Sequence, residues 1–504
     1  MKQKCLLAGS KLAPGGPLEA GPLETIEPAL GVFTRIPGPG LVPAIVVIAW
    51  ACLAAVPVAA EKPNIVFILA DDLGYADLAC YGHPYARTPA LDQLAREGTA
   101  FRNFHVTGVT CCPSRTGFMT SKFPATYKKY PADHGFGDRV TITQLLRENG
   151  YRTGHFGKWH IGAETKAGTY GIDVIGDESG AQGRRHDDPR GRDAQIFDQA
   201  IDFIEQNKDQ PFYVNVWGHI SHFQIDPPPA YVEKFRDLTV READFASPMH
   251  QKFDIVRQRG GDLSQHMRRY LADVLTLDES IGRLLKKIDE LGLRENTIVV
   301  FSSDQGAAPV RLPAEEAGKK GKKAKRAAGE RADARLDLLG YVGELRGGKH
   351  NMYEGGVRVP FIIRWPGHVP AGRVDEQSVT CGIDWLPTLC NITSAKLPKT
   401  DIDGEDVSDI WLGKSRERTR PLFWKVNNVR SEVAVLDGSW KLIVPGARRG
   451  GEVELFDLSK DRAESRNLAS SRPEIVQKLR AKADAWNATL PTEYIKSAGN
   501  DDNN

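Results

Sequence analysis

Cys111-Cys112-Pro113-Ser114-Arg115 sets two thiols, a proline and a cation within five residues. Proline fits the first turn of a helix, where its missing N–H removes no bond, so the segment predicts a helix beginning at Cys111. Cys111 would then lie beside unpaired backbone donors at the positive end of the macrodipole, a place suited to an anion. Arg115, four residues on, shares its helix face and can lean over whatever Cys111 carries. Taken alone, the pattern more often marks a turn with two buried thiols and a surface arginine. Two acid-bearing pairs change its context: Asp71-Asp72 and Asp304-Gln305 offer hard oxygens, which suit Ca²⁺ or Mg²⁺ rather than zinc.

Both pairs close an apolar run. Asn64-Ile65-Val66-Phe67-Ile68-Leu69-Ala70 leads into Asp71-Asp72, and Thr297-Ile298-Val299-Val300-Phe301 into Ser302-Ser303-Asp304-Gln305-Gly306. A third run, residues 211–217, ends in Gly218-His219-Ile220-Ser221-His222. Such runs fit strands buried on both faces of a parallel sheet. Ligands of open α/β sheets sit beyond the carboxyl ends of the strands, so the three endings should converge at one edge. Between the runs lie amphipathic helical patterns, with Phe197, Ala200, Ile201 and Ile204 on one stripe over 194–205 and Leu271, Val274, Leu277, Ile281 and Leu284 on another over 267–291. Alternating strands and helices predict a doubly wound α/β domain. A further buried strand at 359–365 and a helix over 384–391 close it. From about residue 416 the pattern changes to short strands at 421–426, 431–436 and 440–444 and a helix at 473–490, which predicts a small antiparallel sheet with a helix packed on it.

The chain has 504 residues, too many for one hydrophobic core. The expected division is a leader and signal peptide over 1–60, a catalytic α/β domain over 61–415 and a small α+β subdomain over 416–497. Lys plus Arg total 67 against 65 Asp plus Glu, and a net charge of +2 supplies no field to recruit nucleic acid. Seven cysteines are too few for a disulfide scaffold and none has zinc spacing, so any metal must use oxygens. Cys381 and Cys390 could pair or remain two reduced core thiols. Residues 41–60 are apolar and end in Val58-Ala59-Ala60, as a cleaved export signal would, while Pro43 and Pro57 shorten the core that a membrane anchor would need. Export, periplasmic or secreted, without a stable membrane span is the expectation. The Lys-rich stretch within 309–335 cannot bury itself and reads as a solvated insertion, with an edge contact to acidic polymers as the alternative.

With these elements in place, Cys111 to Arg115 resembles the signature of the formylglycine-dependent sulfatases, in which the cysteine of C-x-P-S-R is oxidised to an aldehyde residue. The resemblance runs from about Lys62 to about Pro491. It includes Gly157-Lys158-Trp159-His160-Ile161-Gly162, similar to G-K-W-H-x-G, and His219-Ile220-Ser221-His222, similar to H-x-P-H. It also includes Gly347-Gly348-Lys349-His350-Asn351-Met352-Tyr353-Glu354-Gly355-Gly356, similar to G-G-K-x-x-x-Y-E-G-G. Departures are Cys112 where relatives more often hold Ser, Thr or Ala, Ser121-Lys122 for Gly-Arg, Ser221 for Pro, and Gln305 for Asn or His.

The resemblance implies an alkaline-phosphatase-like sandwich, with a large mostly parallel sheet flanked by helices and a small C-terminal antiparallel sheet. It implies a sulfuric ester hydrolase in which one calcium ion is held by Asp71, Asp72, Asp304, Gln305 and the oxidised Cys111. Arg115 belongs to the signature beside the converted residue, Lys158 would contact the aldehyde hydrate and the sulfate, Lys349 would be a sulfate ligand, His222 would lie over the sulfate and the leaving oxygen, and His160 would be the base that releases sulfate; Glu354 and the glycines would hold the Lys349 loop. A formylglycine-generating enzyme is the implied maturation partner. One hydroxyl of the hydrated aldehyde would attack sulfur and the other would expel sulfate, which avoids a thiosulfate ester that is hard to hydrolyse. The rivals are a phosphonate or phosphate ester hydrolase of the same superfamily and a catalytically inactive binder of sulfated glycans. The substrate is expected to be a sulfated carbohydrate. Arg184, Arg185, Arg190 and Arg192 form a basic loop that could meet a polyanionic sugar or simply be solvated.

Overall fold

β1 (Asn64–Ala70) is buried along its whole length. Its side chains alternate between two apolar layers, Val66, Ile68 and Ala70 in one and Ile65, Phe67 and Leu69 in the other. The first layer is completed by helices Ala194–Gln206 and Leu263–Glu290, the second by Cys111–Thr120 and Trp385–Thr393. The result is the helix–sheet–helix sandwich expected from the alternating pattern. The computed structural model describes residues 62–162, 166–176, 188–310, 335–399, 401–426, 430–447 and 450–495. The leader, Arg184, Arg185 and all of the Lys-rich stretch except residues 309, 310 and 335 lie outside them. No helix of the described residues is long and apolar enough to cross a membrane.

Among the described residues, eight strands form the central sheet in the order β5 (Val174–Ile175), β4 (Arg152–Gly157), β6 (Phe212–Trp217), β1, β7 (Thr297–Ser303), β8 (Phe361–Arg364), β2 (Thr99–Phe101) and β9 (Arg373–Asp375). Only β8 runs against the others. Leu69 lies opposite both Trp217 and Ser302, and Gly157 opposite Trp217, so β4, β6, β1 and β7 end level. The four segments that follow them, bearing Lys158, His222, Asp71-Asp72 and Asp304-Gln305, therefore meet at one edge. β4, like the shorter β2, β5 and β9, is a strand that the sequence pattern did not announce: Arg-Thr-Gly-His-Phe-Gly lacks a β-branched apolar run, and its pairing with β6 makes it a strand. It ends at Gly157 with φ +99, where a Cβ would lie 2.0 Å from the Trp217 carbonyl oxygen, so glycine is required for the turn that delivers Lys158.

A two-stranded piece, β3 (Phe104–His105) with β10 (Thr380–Cys381), lies beside the site; Cys381 and Cys390 are both buried free thiols. The C-terminal sheet has four antiparallel strands, β11 (Leu422–Lys425), β12 (Val433–Asp437), β13 (Trp440–Val444) and β14 (Glu454–Asp457), one more than the sequence suggested. β14 is short and acid-flanked, so its own residues gave little strand signal. One face of this sheet, with Trp424, Ala434, Leu436 and Ile443, packs on Val109, Phe123, Met352 and Val357; the other, with Val433, Val435, Leu442 and Leu455, is covered by Leu479 and Ala483 of helix Pro473–Ala488.

Candidate active site

The helix Cys111–Thr120 begins at Cys111, as the proline position requires, and every residue except Pro113 is buried. Its two thiols face different surroundings. Cys112 Sγ lies 3.9 Å from Thr116 Oγ1, in the apolar layer beneath the sheet. Cys111 Sγ donates to Asp71 Oδ1 at 3.2 Å and receives Lys158 Nζ at 3.3 Å, Gln305 Nε2 at 3.2 Å and Lys349 Nζ at 3.9 Å. Burial, reinforced by the Asp71 charge, pushes the Cys111 thiol up to about 12, so at neutral pH it is a protonated thiol and a weak nucleophile.

Around this sulfur the four strand endings meet. Asp72 has left-handed backbone (φ 63), which turns its amide toward Asp304 Oδ1 at 3.2 Å. Lys158 donates to Asp71 Oδ2, Gln305 Nε2 to Asp72 Oδ1, and Lys349 to Asp72 Oδ2 at 2.9 Å. Arg115 directs Nε and Nη2 to Asp304 Oδ2 at 2.9 and 2.8 Å and lies 3.6 Å from Asp71. Its guanidinium thus neutralises carboxylates rather than bonding the thiol it was expected to lean over. Burial opposes ionisation of Asp71, but Lys158, His222, Arg115 and Lys349 outweigh it and hold its carboxyl well below the usual range.

Ligand atoms of Asp71, Asp72, Cys111 and Asp304 lie within 4.8 Å of one another. At that spacing and an effective dielectric of about 20, each pair of carboxylate charges repels by about 3.5 kcal/mol, a cost that the direct ion pairs of Arg115 with Asp304, Lys158 with Asp71 and Lys349 with Asp72 offset while no metal is bound. Gln305 Oε1 is buried without a hydrogen-bond partner. The Gln305 amide meets the cluster through Nε2, and a half-turn of the amide would bring the partnerless Oε1 to three converging carboxylates, the donor set of a hard cation, so the residues present fit the implied calcium ion.

His222 Nδ1 donates to the Phe223 carbonyl at 2.8 Å, which leaves Nε2 facing Asp72 Oδ2 at 3.8 Å. His160, also left-handed (φ 60), stands exposed at the rim, close enough to Lys158, Arg115, Asp71 and His222 to feel their charges. All ten predicted site residues are therefore brought together, His160 at the margin. His219 acts through its backbone: its N–H donates to Asp193 Oδ2 at 2.9 Å, and the Ile220 N–H does so at 3.1 Å.

Two residues behind His222 were missed. Asp193 precedes helix Ala194–Gln206 without capping it, and its carboxylate ties down the histidine loop. Arg192 was placed in a basic loop; its Nη2 spans the His222 carbonyl and Asp273 Oδ2, both at 2.9 Å. Arg190 is paired with Asp188 and Asp198 but remains exposed, so of the two described arginines of that loop Arg192 is the one that departs from a solvated reading. Because Asp273 is fully buried, Arg192→Ala should destabilise the enzyme by about 3–5 kcal/mol by leaving its charge unpaired. Urea denaturation of the purified variant measures this; a midpoint equal to that of the parent would contradict the assignment.

The departures at 121–122 also have a local account. Ser121 ends the helix with left-handed φ 54, where glycine is easier, but its Oγ donates to Ile383 O at 2.6 Å and accepts from Gly404 N at 3.2 Å. Lys122 pairs with Asp403 at 2.7 Å and Asp401 at 3.1 Å.

This fold and this edge define a hydrolase site for an anionic ester, and comparison with known proteins names its class. The sulfatase family model matches residues 63–395, and that of the N-sulphoglucosamine sulphohydrolase C-terminal region matches residues 347–488. The chain belongs to the sulfatase family. It is 30% identical to arylsulfatase A of Bos taurus, over 84% of this chain and 86% of the relative. It is 26% identical to an N-acetylgalactosamine-6-O-sulfatase of Bacteroides thetaiotaomicron, over 83% and 92%. A solved structure of a protein in complex with its substrate D-glucosamine-2-N,6-O-disulfate superposes with a TM-score of 0.65 at 22% identity, covering 85% of this chain and 98% of that one. The protein is a sulfatase, with the alkaline-phosphatase-like fold of that family.

Proposed function

We propose that this sulfatase cleaves sulfate monoesters of carbohydrates outside the cytoplasm, using an aldehyde derived from Cys111 by a formylglycine-generating enzyme, and a calcium ion held by Asp71, Asp72, Asp304, Gln305 and the converted residue. The observation that carries the reading is the convergence of Lys158, Lys349 and four cation-suited side chains on one buried sulfur. Export rests on the sequence of residues 41–60. The carbohydrate substrate rests on the named substrates of relatives. In this structure the thiol stands where the aldehyde would be.

When Cys111 is converted, its hydrate supplies two hydroxyls on one carbon, one to attack sulfur and one whose ionisation lets the carbonyl re-form as sulfate departs. The calcium ion would supply fixed positive charge to the sulfate oxygens. Asp71, Asp72 and Asp304 balance Arg115, Lys158 and Lys349 charge for charge, so a bound divalent cation leaves the site net positive and suited to an anionic ester. Lys158 and Lys349, within 3.3 and 3.9 Å of the sulfur, hold the sulfate end as charge shifts to its oxygens. His222 presents Nε2 on the open side; because Nδ1–H is held by the Phe223 carbonyl, it is the protonated imidazolium, disfavoured by burial but favoured by Asp71 and Asp72, that gives a proton from Nε2 to the leaving ester oxygen. His160, at the rim, takes the proton of the second hydroxyl.

The test is parallel assay of an aryl sulfate and the matching aryl phosphonate monoester on calcium-loaded enzyme. A kcat/KM for the sulfate at least about a hundredfold higher is expected. A preference for the phosphonate would replace this reading with that of the sister activity, and turnover of neither by aldehyde-bearing enzyme would leave a glycan-binding protein.

A further inference from the structure

Lys441, on β13 of the small sheet, is fully buried. Its ammonium pairs with Glu354 Oε1 at 2.8 Å and with Glu464 Oε1 at 2.9 Å. Glu464 Oε2 in turn accepts the Glu354 backbone N–H at 2.6 Å. The other oxygen of Glu354 accepts from Arg358 Nε at 2.5 Å and faces His105 Nε2 at 3.0 Å. Glu354 is thus gripped at both carboxylate oxygens and at its amide, twice from the C-terminal region. A buried lysine is an expensive way to fill space, since an apolar residue of the same volume is often neutral or better for stability. Its distinguishing property here is direction.

What Glu354 holds is the loop that carries Lys349. The Gly355 N–H closes that loop onto the Arg346 carbonyl at 2.8 Å. A Cβ on Gly356 would fall 2.1 Å from the Asn351 carbonyl oxygen and 2.5 Å from that of Gly348, so the two ends of the loop are in backbone contact. The Lys349 N–H donates to Ala307 O at 3.0 Å, and the Gly306 N–H to Gly356 O at 3.1 Å, which joins the same loop to the segment behind Gln305.

We infer that Lys441 and Glu464 are positioning residues for sulfate ester hydrolysis: from the small sheet they fix Glu354, and Glu354 fixes the loop that aims the Lys349 ammonium at the reacting position. The inference rests on the proposed reading of Lys349 as a sulfate ligand. It makes the small sheet a working part of the catalytic machinery, and it extends the role of Glu354 from holding its own loop to linking two regions distant in sequence.

The experiment uses the full-length, calcium-loaded enzyme with Lys441→Met, Lys441→Arg and the double variant Lys441→Met/Glu464→Gln. The double variant removes one positive and one negative charge together, so it keeps the buried charge balance that the single change upsets. The expected result is a kcat on an aryl sulfate about ten- to a hundredfold lower in both methionine variants, the scale of an ångström-level misplacement. KM should change much less, and Lys441→Arg should recover part of the loss, because the affected contact matters most in the transition state. Thermal melts show whether each variant is folded at the assay temperature, and should Lys441→Met fail there, the double variant decides. A folded double variant with kcat within about twofold of the parent would overturn the inference and leave Lys441 a stability element. Peptide mass analysis of position 111 on the same preparations separates the two readings. An active parent without the aldehyde contradicts the proposed function; slow variants bearing the aldehyde at parental occupancy support the positioning role, and variants that lose the aldehyde overturn it.

Discussion

Cys111→Ala should hydrolyse aryl sulfates about 10⁴-fold or more slowly than the parent, the scale expected for loss of a nucleophile, while its melting temperature stays close to that of the parent. The side chain removed is small, and its neighbours Asp71, Lys158 and Lys349 keep their own ion pairs. Cys112→Ser should retain most activity. Cys112 Sγ faces Thr116 and the apolar layer instead of the charged edge, and placing a hydroxyl there costs about 1–3 kcal/mol of stability at most, with Thr116 Oγ1 available as a partner. Initial-rate assays on the two purified variants decide the matter. Equal losses in both, or retained turnover in Cys111→Ala, would show that position 111 is not the source of the nucleophile.

The second large effect is expected at Asp304. Asp304→Ala should lose its calcium and nearly all turnover, because one ligand is removed and Asp71 and Asp72 then face a cation site they cannot complete. The variant should also be less stable by about 3–5 kcal/mol, since Arg115, fully buried, loses the carboxylate that receives two of its N–H groups. Gln305→Asn should be milder than Gln305→Ala: both shorten the side chain, but only asparagine keeps an amide oxygen near the site. Elemental analysis alongside the rate assay separates metal loss from chemistry. Calcium undiminished in folded Asp304→Ala would refute the ligand assignment, and asparagine behaving worse than alanine at 305 would refute the role given to the amide oxygen.

The elements that place the site differ in how far their residues disclose them. β1, β6 and β7 are visible because strands covered on both faces become continuous apolar runs, and the polar residues ending those runs mark the edge. The start of the Cys111 helix is visible because Pro113 restricts where a helix can begin. β4 is not, because its strand character comes from pairing with β6 and its Gly157 serves a close approach to Trp217. Nor is β14, whose two inward apolar residues are too few to form a pattern. The roles of Arg192, Asp193, Lys441 and Glu464 are invisible for a different reason. Their chemistry lies in contacts between segments far apart in the chain, and a basic loop or a charged strand looks the same in sequence whether it is solvated or buried against a carboxylate.

The most direct test of the central claim is peptide mass spectrometry on enzyme that has been shown to turn over an aryl sulfate. The fragment containing residue 111 should be lighter than the unmodified peptide by the difference between a thiol-bearing methylene and an aldehyde carbon, and fragmentation should place the change at Cys111, leaving Cys112 a thiol. Active enzyme in which both residues are unmodified thiols would contradict the aldehyde mechanism outright.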